Sequence, residues 1–392
     1  MKSLFISVLK LFLPLLSVLA LSACSKNTDH TETILWKTGE GSYGGYRIPS
    51  AVCTTKGTLL AFAEGRNNGG DTGDIDLVMK RSTDNGITWS EEFVIWNDSL
   101  NTCGNPCPVV DAETGRIWLW MTWNDGSDHE TEIIFKTSKS PRVPFLCYSD
   151  DDGLSWSEPV DMSSSCKNPE WGWYATGPGF AIQQHNSKYK GNLVIPANHS
   201  YDDPEGSLRN GPFSYGAHVI ISKDHGKTWQ ISSPIMPGCN ESQVTELEDG
   251  TLLMNMRSYN NKYSRAISTS DDGGENWSPI THDYQLVESK CQASILHYGD
   301  YLEKSFHLFS NPAVPVGRSH MTIKVSSNNC ESWEKGILVD ENPAAYSCLV
   351  KLANGNIGLL YETGLRNPYE TIRFISLDKE FLFDCKDLQY KN

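Results

Sequence analysis

From Tyr46 onward the chain is a succession of short apolar runs cut by Gly- and Asp-rich turns, with no helical periodicity of useful length. The first unit reads Tyr46-Arg47-Ile48-Pro49, then an apolar run to Ala63-Glu64-Gly65-Arg66, then Asp71. It closes on Ser82-Thr83-Asp84-Asn85-Gly86-Ile87-Thr88-Trp89. The pattern Ser-x-Asp-x-Gly-x-x-Trp returns at Ser149 to Trp156, at Ser222 to Trp229 and at Ser270 to Trp277. A degraded copy runs from Ser326 to Trp333, with Asn328 for the Asp and Cys330 for the Gly. β-forming runs such as Leu77-Val78-Met79 and His218-Val219-Ile220-Ile221 lead into the turns. Asp bonds nearby backbone, Gly takes positive φ, and Trp packs back across the hairpin. The role expected of these turns is architectural.

Copies start 48 to 73 residues apart, room for about four short strands with loops. Repetition at that period predicts a ring of sheets. Five turn-bearing units and a closing one built from both chain ends predict an all-β, six-bladed β-propeller, which leaves few exposed sheet edges. No shift of composition marks a second domain, so residues 34–392 are expected to form one.

The N-terminus changes the picture. Lys2 precedes a stretch from Leu4 to Leu21 that is apolar apart from Ser, Lys10 and Pro14, ending Leu21-Ser22-Ala23-Cys24. Residues 1–23 are expected to be a signal peptide rather than a membrane helix, because small residues before a cysteine resemble a bacterial lipobox. That resemblance implies a lipidated Cys24, a polar tether over 24–33 and an extracytoplasmic protein, in the periplasm or at the cell surface. It touches the membrane only through its anchor. Ten further cysteines permit disulfides in such a compartment without revealing their pairing. Cys103 and Cys107 lack a second pair at zinc-binding distance, which argues against a metal site. A net charge of −15 argues against a nucleic-acid partner, though arginines can still gather in one pocket.

Between Tyr46 and Glu362 the motifs together resemble an exo-sialidase (neuraminidase) of the bacterial and animal type, in which such turns are called Asp boxes. Arg47, Arg257 in Asn255-Met256-Arg257-Ser258 and Arg318 in Val316-Gly317-Arg318-Ser319-His320 match the arginine triad that grips the sugar's carboxylate. A guanidinium suits this task because its planar fork gives two parallel, charge-assisted hydrogen bonds. Glu362 in Leu360-Tyr361-Glu362 matches the glutamate that steadies the first arginine. Tyr346 in Ala344-Ala345-Tyr346-Ser347 matches the nucleophile and Glu241 in Asn240-Glu241-Ser242 its carboxylate partner. A buried structural hydrogen bond is the alternative for that pair. A phenol avoids bringing an anion against a carbon that already bears a carboxylate.

Asp71, on a glycine-rich loop five residues after Arg66, matches the acid/base, against the alternative of an exposed turn aspartate. By the same resemblance Arg66 contacts the region of the sugar's C4 hydroxyl. Asn105 stands where many relatives carry an Asp for that contact. Trp123 and the Trp173-Tyr174 pair are candidates for the walls around the N-acetyl and glycerol groups, or else core and rim aromatics.

The resemblance implies a lipid-anchored exo-α-sialidase, monomeric, with no metal or cofactor. It would release terminal sialic acid, with retention, from glycoproteins, glycolipids or oligosaccharides. The alternatives are a trans-sialidase using the same site and a propeller that binds sialic acid without catalysis.

Overall fold

The computed structural model describes residues 32–334 and 336–384. The leader at 1–23, Cys24, most of the 24–33 stretch and Cys385 lie outside the described residues. Among those described, antiparallel strands dominate and hydrogen bonding divides them into four sheets. Some sheets are compound. Ile337–Lys351, a 15-residue strand, pairs with Ser319–Ser326 through its first half and Ile357–Thr363 through its second. Two four-stranded runs therefore share one sheet. The bridge Ile75↔Thr102 joins two more.

The first strands of successive runs touch in a closed circuit. Gly45–Cys53 packs on Thr102–Val110, and that strand on Tyr174–Thr176 and Ile182–Gln183. Leu193–Asp202 packs on Cys239–Glu246, followed by Ser294–Tyr301 and Ile337–Lys351, which returns to Gly45–Cys53. The two ends of the described chain meet, because Glu32–Lys37 pairs antiparallel with Thr371–Leu377. That first strand begins two residues inside the stretch expected to be tether.

The repeated turns share one geometry. Ser82 Oγ donates to Asp84 Oδ1 (2.8 Å) and accepts the Gly86 N–H (2.8 Å), while Asp84 Oδ1 accepts the Thr88 N–H (2.9 Å). The same three bonds recur from Ser149, Ser222 and Ser270. The degraded copy keeps them too, with Asn328 Oδ1 replacing the carboxylate oxygen.

The residue between Asp and Gly sits at positive φ in every copy: Asn85, Asp152, His225, Gly273 and Asn329, at 59–77°. These residue types tolerate that region. From there each reaches the preceding hairpin. Asn85 Oδ1 accepts from Asn354 N, Asp152 from the Thr54 and Thr58 hydroxyls, and Asn329 Oδ1 from Glu248 N. His225 Nδ1 lies 3.0 Å from Asp111 Oδ2, and Gly273 abuts the Tyr189 ring. The turn tryptophans pack across the same seams, Trp89 on Phe374, Trp156 on Phe62 and Trp229 on Trp118. The turns are thus clasps between neighbouring runs as well as hairpin ends.

All nine described cysteines are free thiols. Burial pushes Cys107 and Cys348 above the ordinary thiol value, so these are packing groups. Among the described residues no group of three or more His, Cys, Asp or Glu is arranged to hold a metal.

Candidate active site

The clasping turns occupy one end of the strands, and a polar cavity of about 330 Å³ opens at the other. β-Bulges build it. Pairing registers shift between Arg47 and Ser50, between Gly104 and Cys107, between Cys239 and Ser242 and between Ala344 and Ser347. Each irregularity sits near the cavity end of a ring-lining strand, where the extra residue re-aims a side chain. Arg47, Asn105, Glu241 and Tyr346 are the side chains presented there. Ile48 takes φ 62° at its bulge, a strained state for a β-branched residue.

Glu362 ties two bulges together from a fully buried position. Its Oε1 accepts Arg47 Nε (2.7 Å) and the Ile48 N–H (2.9 Å). Its Oε2 accepts Arg47 Nη2 (3.2 Å) and the Tyr346 N–H (3.0 Å). Beside it the Tyr346 hydroxyl donates to Glu241 Oε1 at 2.5 Å, and Arg257 Nη1 donates to Glu241 Oε2 (2.6 Å) and to the phenol oxygen (3.1 Å). Burial, then the Glu241 charge, pushes the phenol well above its ordinary value, against Arg257 and Arg318. The phenol therefore stays protonated until a base takes the proton. Arg318 Nη1 donates to the Tyr369 hydroxyl (3.0 Å) and Nη2 to the Lys290 carbonyl (3.2 Å). Arg47 and Arg318 both lie over the Tyr346 ring, at 5.1 and 5.5 Å. Arg47, Arg257 and Arg318 thus surround one phenol.

Asp71 lies at the mouth, its side chain 79% exposed. Its Oδ1 is 2.6 Å from Arg66 Nη1 and 3.7 Å from Arg47 Nη1. Partial desolvation would raise this carboxyl, but Arg66 and Arg47 outweigh it and hold the group below the usual carboxylate range. Arg66 is clamped from behind by Glu64 Oε2, which accepts from Nε (2.9 Å) and Nη2 (2.6 Å).

Asn105 lines the cavity, its amide oxygen taken by Arg142 Nη2 at 2.5 Å and its N–H donated to Glu64 Oε1. Two aromatic candidates fall elsewhere. Trp123 is not on the cavity wall. It donates its indole N–H to Asp98 (2.6 Å) and packs near Phe145, because strand alternation turns its neighbours Thr122 and Asn124 inward instead. Tyr174 is buried in the core, bonded to the Cys166 carbonyl. Trp173, one residue earlier, does line the cavity, with the Arg142 guanidinium 4.5 Å above its ring.

Residues 57–359 match the family model described as a BNR repeat-like domain. An exo-alpha-sialidase of Arthroderma benhamiae is 30% identical over 346 residues, 81% of this chain and 78% of that protein. The chain belongs to the sialidase family. A sialidase of Bacteroides fragilis is 32% identical over 352 residues, covering 83% of this chain, which spans only 61% of that relative. Among solved structures, a Hadza microbial sialidase superimposes with a TM-score of 0.74 at 31% identity, covering 87% of this chain and 67% of that one. The fold is the β-propeller of the sialidases.

Six arginines and four carboxylates line this sialidase-family cavity, a local excess of positive charge in a chain of net −15. Three of those arginines stood out in the sequence as a triad and Arg66 as a neighbour. Arg142 and Arg209 did not, because the first sits in a loop and the second in the short 3₁₀ turn Leu208–Asn210, neither with a surrounding motif. Tyr259 and Tyr369 were missed for the same reason. Their signal is spatial: Tyr259 accepts from Arg257 Nη2 (2.7 Å), and Tyr369 lies 4.1 Å from the Arg47 guanidinium.

Proposed function

We propose that this chain is an exo-α-sialidase that hydrolyses terminal sialic acid from sialylated glycans with retention, through a tyrosine nucleophile. The observation that carries the reading is the 2.5 Å Tyr346–Glu241 hydrogen bond enclosed by Arg47, Arg257 and Arg318. The three guanidiniums seat the substrate carboxylate. The phenol oxygen then attacks the anomeric carbon while Glu241 takes its proton, and Asp71 gives a proton to the departing aglycone oxygen. In the second half Asp71 takes a proton from water, whose oxygen displaces Tyr346, and Glu241 returns the phenol proton. Two displacements at one carbon retain its configuration.

In the free protein Asp71 is held as a carboxylate by Arg66 and Arg47. A substrate carboxylate that draws charge from Arg47 weakens that hold, so seating the substrate makes its own acid available. Glu362 and Arg66 act as positioning groups, the first for the Arg47 and Tyr346 bulges and the second for Asp71.

The closed circuit of first strands supports six blades, the last completed by Glu32–Lys37 against Thr371–Leu377. We read 1–23 as a lipoprotein signal and Cys24 as the acylated residue of an extracytoplasmic, monomeric protein. Glu32–Lys37 starts at the turn end and runs toward the cavity end, since Glu32 pairs with Ile375 and Lys37 with Thr371. A short anchor ahead of it would turn the cavity away from the bilayer.

The deciding experiment is a fluorogenic aryl sialoside assay, with NMR of the first-formed sugar anomer. Release of the α-anomer by the wild type supports the reading, and no release makes the chain a binding propeller. An added galactoside acceptor separates hydrolysis from sialyl transfer by the product formed.

A further inference from the structure

Arg142 is a buried cation with no carboxylate within ion-pair distance among the described residues. It is 2% exposed and lines the cavity. Nη1 donates to the Asn124 side-chain oxygen, Nη2 to Asn105 Oδ1, and Nε has no hydrogen-bond partner among the described residues. Arg47, Arg66, Arg209 and Arg257 each rest on a carboxylate within ion-pair distance. Among the described residues, Arg318 and Arg142 have no such partner. On the reading above, Arg318 waits for the sugar's carboxylate, and the same logic asks what Arg142 waits for. Burying a guanidinium without a counter-charge is costly, and burial followed by the charge of Arg66 pushes this one down to about 10 despite Glu64, Glu130 and Asp71 nearby.

The other groups on this wall narrow the answer. Asn105 Oδ1 is occupied by Arg142 and Thr122. Both Glu64 oxygens are occupied too, Oε1 by the Asn105 N–H and Oε2 by Arg66. Each of these three oxygens already accepts at least one hydrogen bond, while a donor remains on Arg142. The wall as built seeks an acceptor.

We propose that Arg142 is a specificity-determining residue that receives a hydrogen-bond-accepting substituent of the sugar ring at the Arg66–Asn105 wall, and that this wall disfavours a cationic substituent there. The assignment rests on the sialidase reading, in which Arg66 faces the C4 region.

The test compares inhibition by 2-deoxy-2,3-dehydro-N-acetylneuraminic acid with inhibition by its 4-amino derivative. In the wild type the 4-hydroxy parent should inhibit about tenfold more tightly, the scale of one charge-assisted hydrogen bond. Arg142→Gln should bring the two within about threefold, and Arg142→Lys should keep most of the gap. A wild-type 4-amino derivative that matches or beats the parent overturns the proposal without need of any variant. An unchanged ratio in a folded Arg142→Gln protein overturns it as well. If the parent compound does not bind at all, the sialidase reading fails first and this assignment falls with it.

Discussion

The two ends of the strands are built on opposite plans. At the turn end, five eight-residue segments make the same three hydrogen bonds, and each clasps the hairpin before it. The three bonds inside each segment join residues two to four positions apart, and only the clasps reach further, to the neighbouring hairpin. At the cavity end no two loops are alike, and the bonds that matter span the chain: 315 positions from Arg47 to Glu362 and 105 from Tyr346 to Glu241. The turn end holds its charge by local geometry. Asp151, for instance, is lowered to about 2 by the Ser155 side chain and neighbouring backbone N–H groups. The cavity end adds buried pairs between remote residues, such as Arg47 with Glu362, to local ones such as Arg66 with Glu64. A ring can therefore vary one end for chemistry while the other keeps it closed.

The sharpest way to break this contrast is Tyr346→Phe, which removes one oxygen from the cavity and nothing from the clasps. Turnover of an aryl sialoside should fall by roughly a thousandfold or more, with the thermal transition unmoved. Appreciable residual turnover would remove the proposed nucleophile.

Gly86→Ala attacks the other end. A Cβ there would come 2.1 Å from the Phe374 ring at φ 89°, so stability should drop by about 3 kcal/mol in urea unfolding. Asp152→Ala leaves the Thr54 and Thr58 hydroxyls without their acceptor and takes one of three bonds from Arg81, and should cost about 2 kcal/mol. In both variants the properly folded fraction should hydrolyse substrate at the wild-type rate. A specific loss of turnover would show that the ends are coupled.

Acid separates the two plans as well. Burial pushes His218 down to about 3 and holds His199 well below its ordinary value. Their unfolded forms take up protons below about pH 6.5 and their folded forms do not. Stability is thus full above that pH and should fall by on the order of 1 kcal/mol per histidine per pH unit beneath it. The turn aspartates, lowered rather than raised, should lose their contribution only below about pH 4, as pH drops toward their folded values. Urea midpoints between pH 7 and 4 would reveal whether loss begins in the histidine range. The smallest expected effect is Asn328→Asp, which restores the degraded turn. The same bonds are already made through Asn328 Oδ1, so the change should stay within about 0.5 kcal/mol.

Legibility in the sequence follows the same division. The repeat announced a ring and its turns, including the copy where Cys330 stands for glycine at φ 64°. It did not announce that the residue before each glycine reaches a neighbour, since that depends on what the ring packs beside it. At the cavity, residues embedded in motifs were visible: Arg47, Asp71, Glu241, Arg257, Arg318, Tyr346 and Glu362. Trp123 misled because a strand shows one face or the other according to register, and its neighbours Thr122 and Asn124 take the buried face. Arg142 went unseen because its importance lies in a missing partner.

The chain by itself determined the β architecture, the period of the repeated turns and the identity of the groups proposed to seat and attack an acid sugar. Those features rest on patterns within a few residues, or on residue types whose chemistry is intrinsic. Only the folded molecule decided that Glu362 knits two bulges together, that Asn105 spends its oxygen on Arg142 and that Trp173 rather than Trp123 faces the cavity. Each of those depends on closing the ring, which brings remote segments within hydrogen-bond reach at separations no local pattern records.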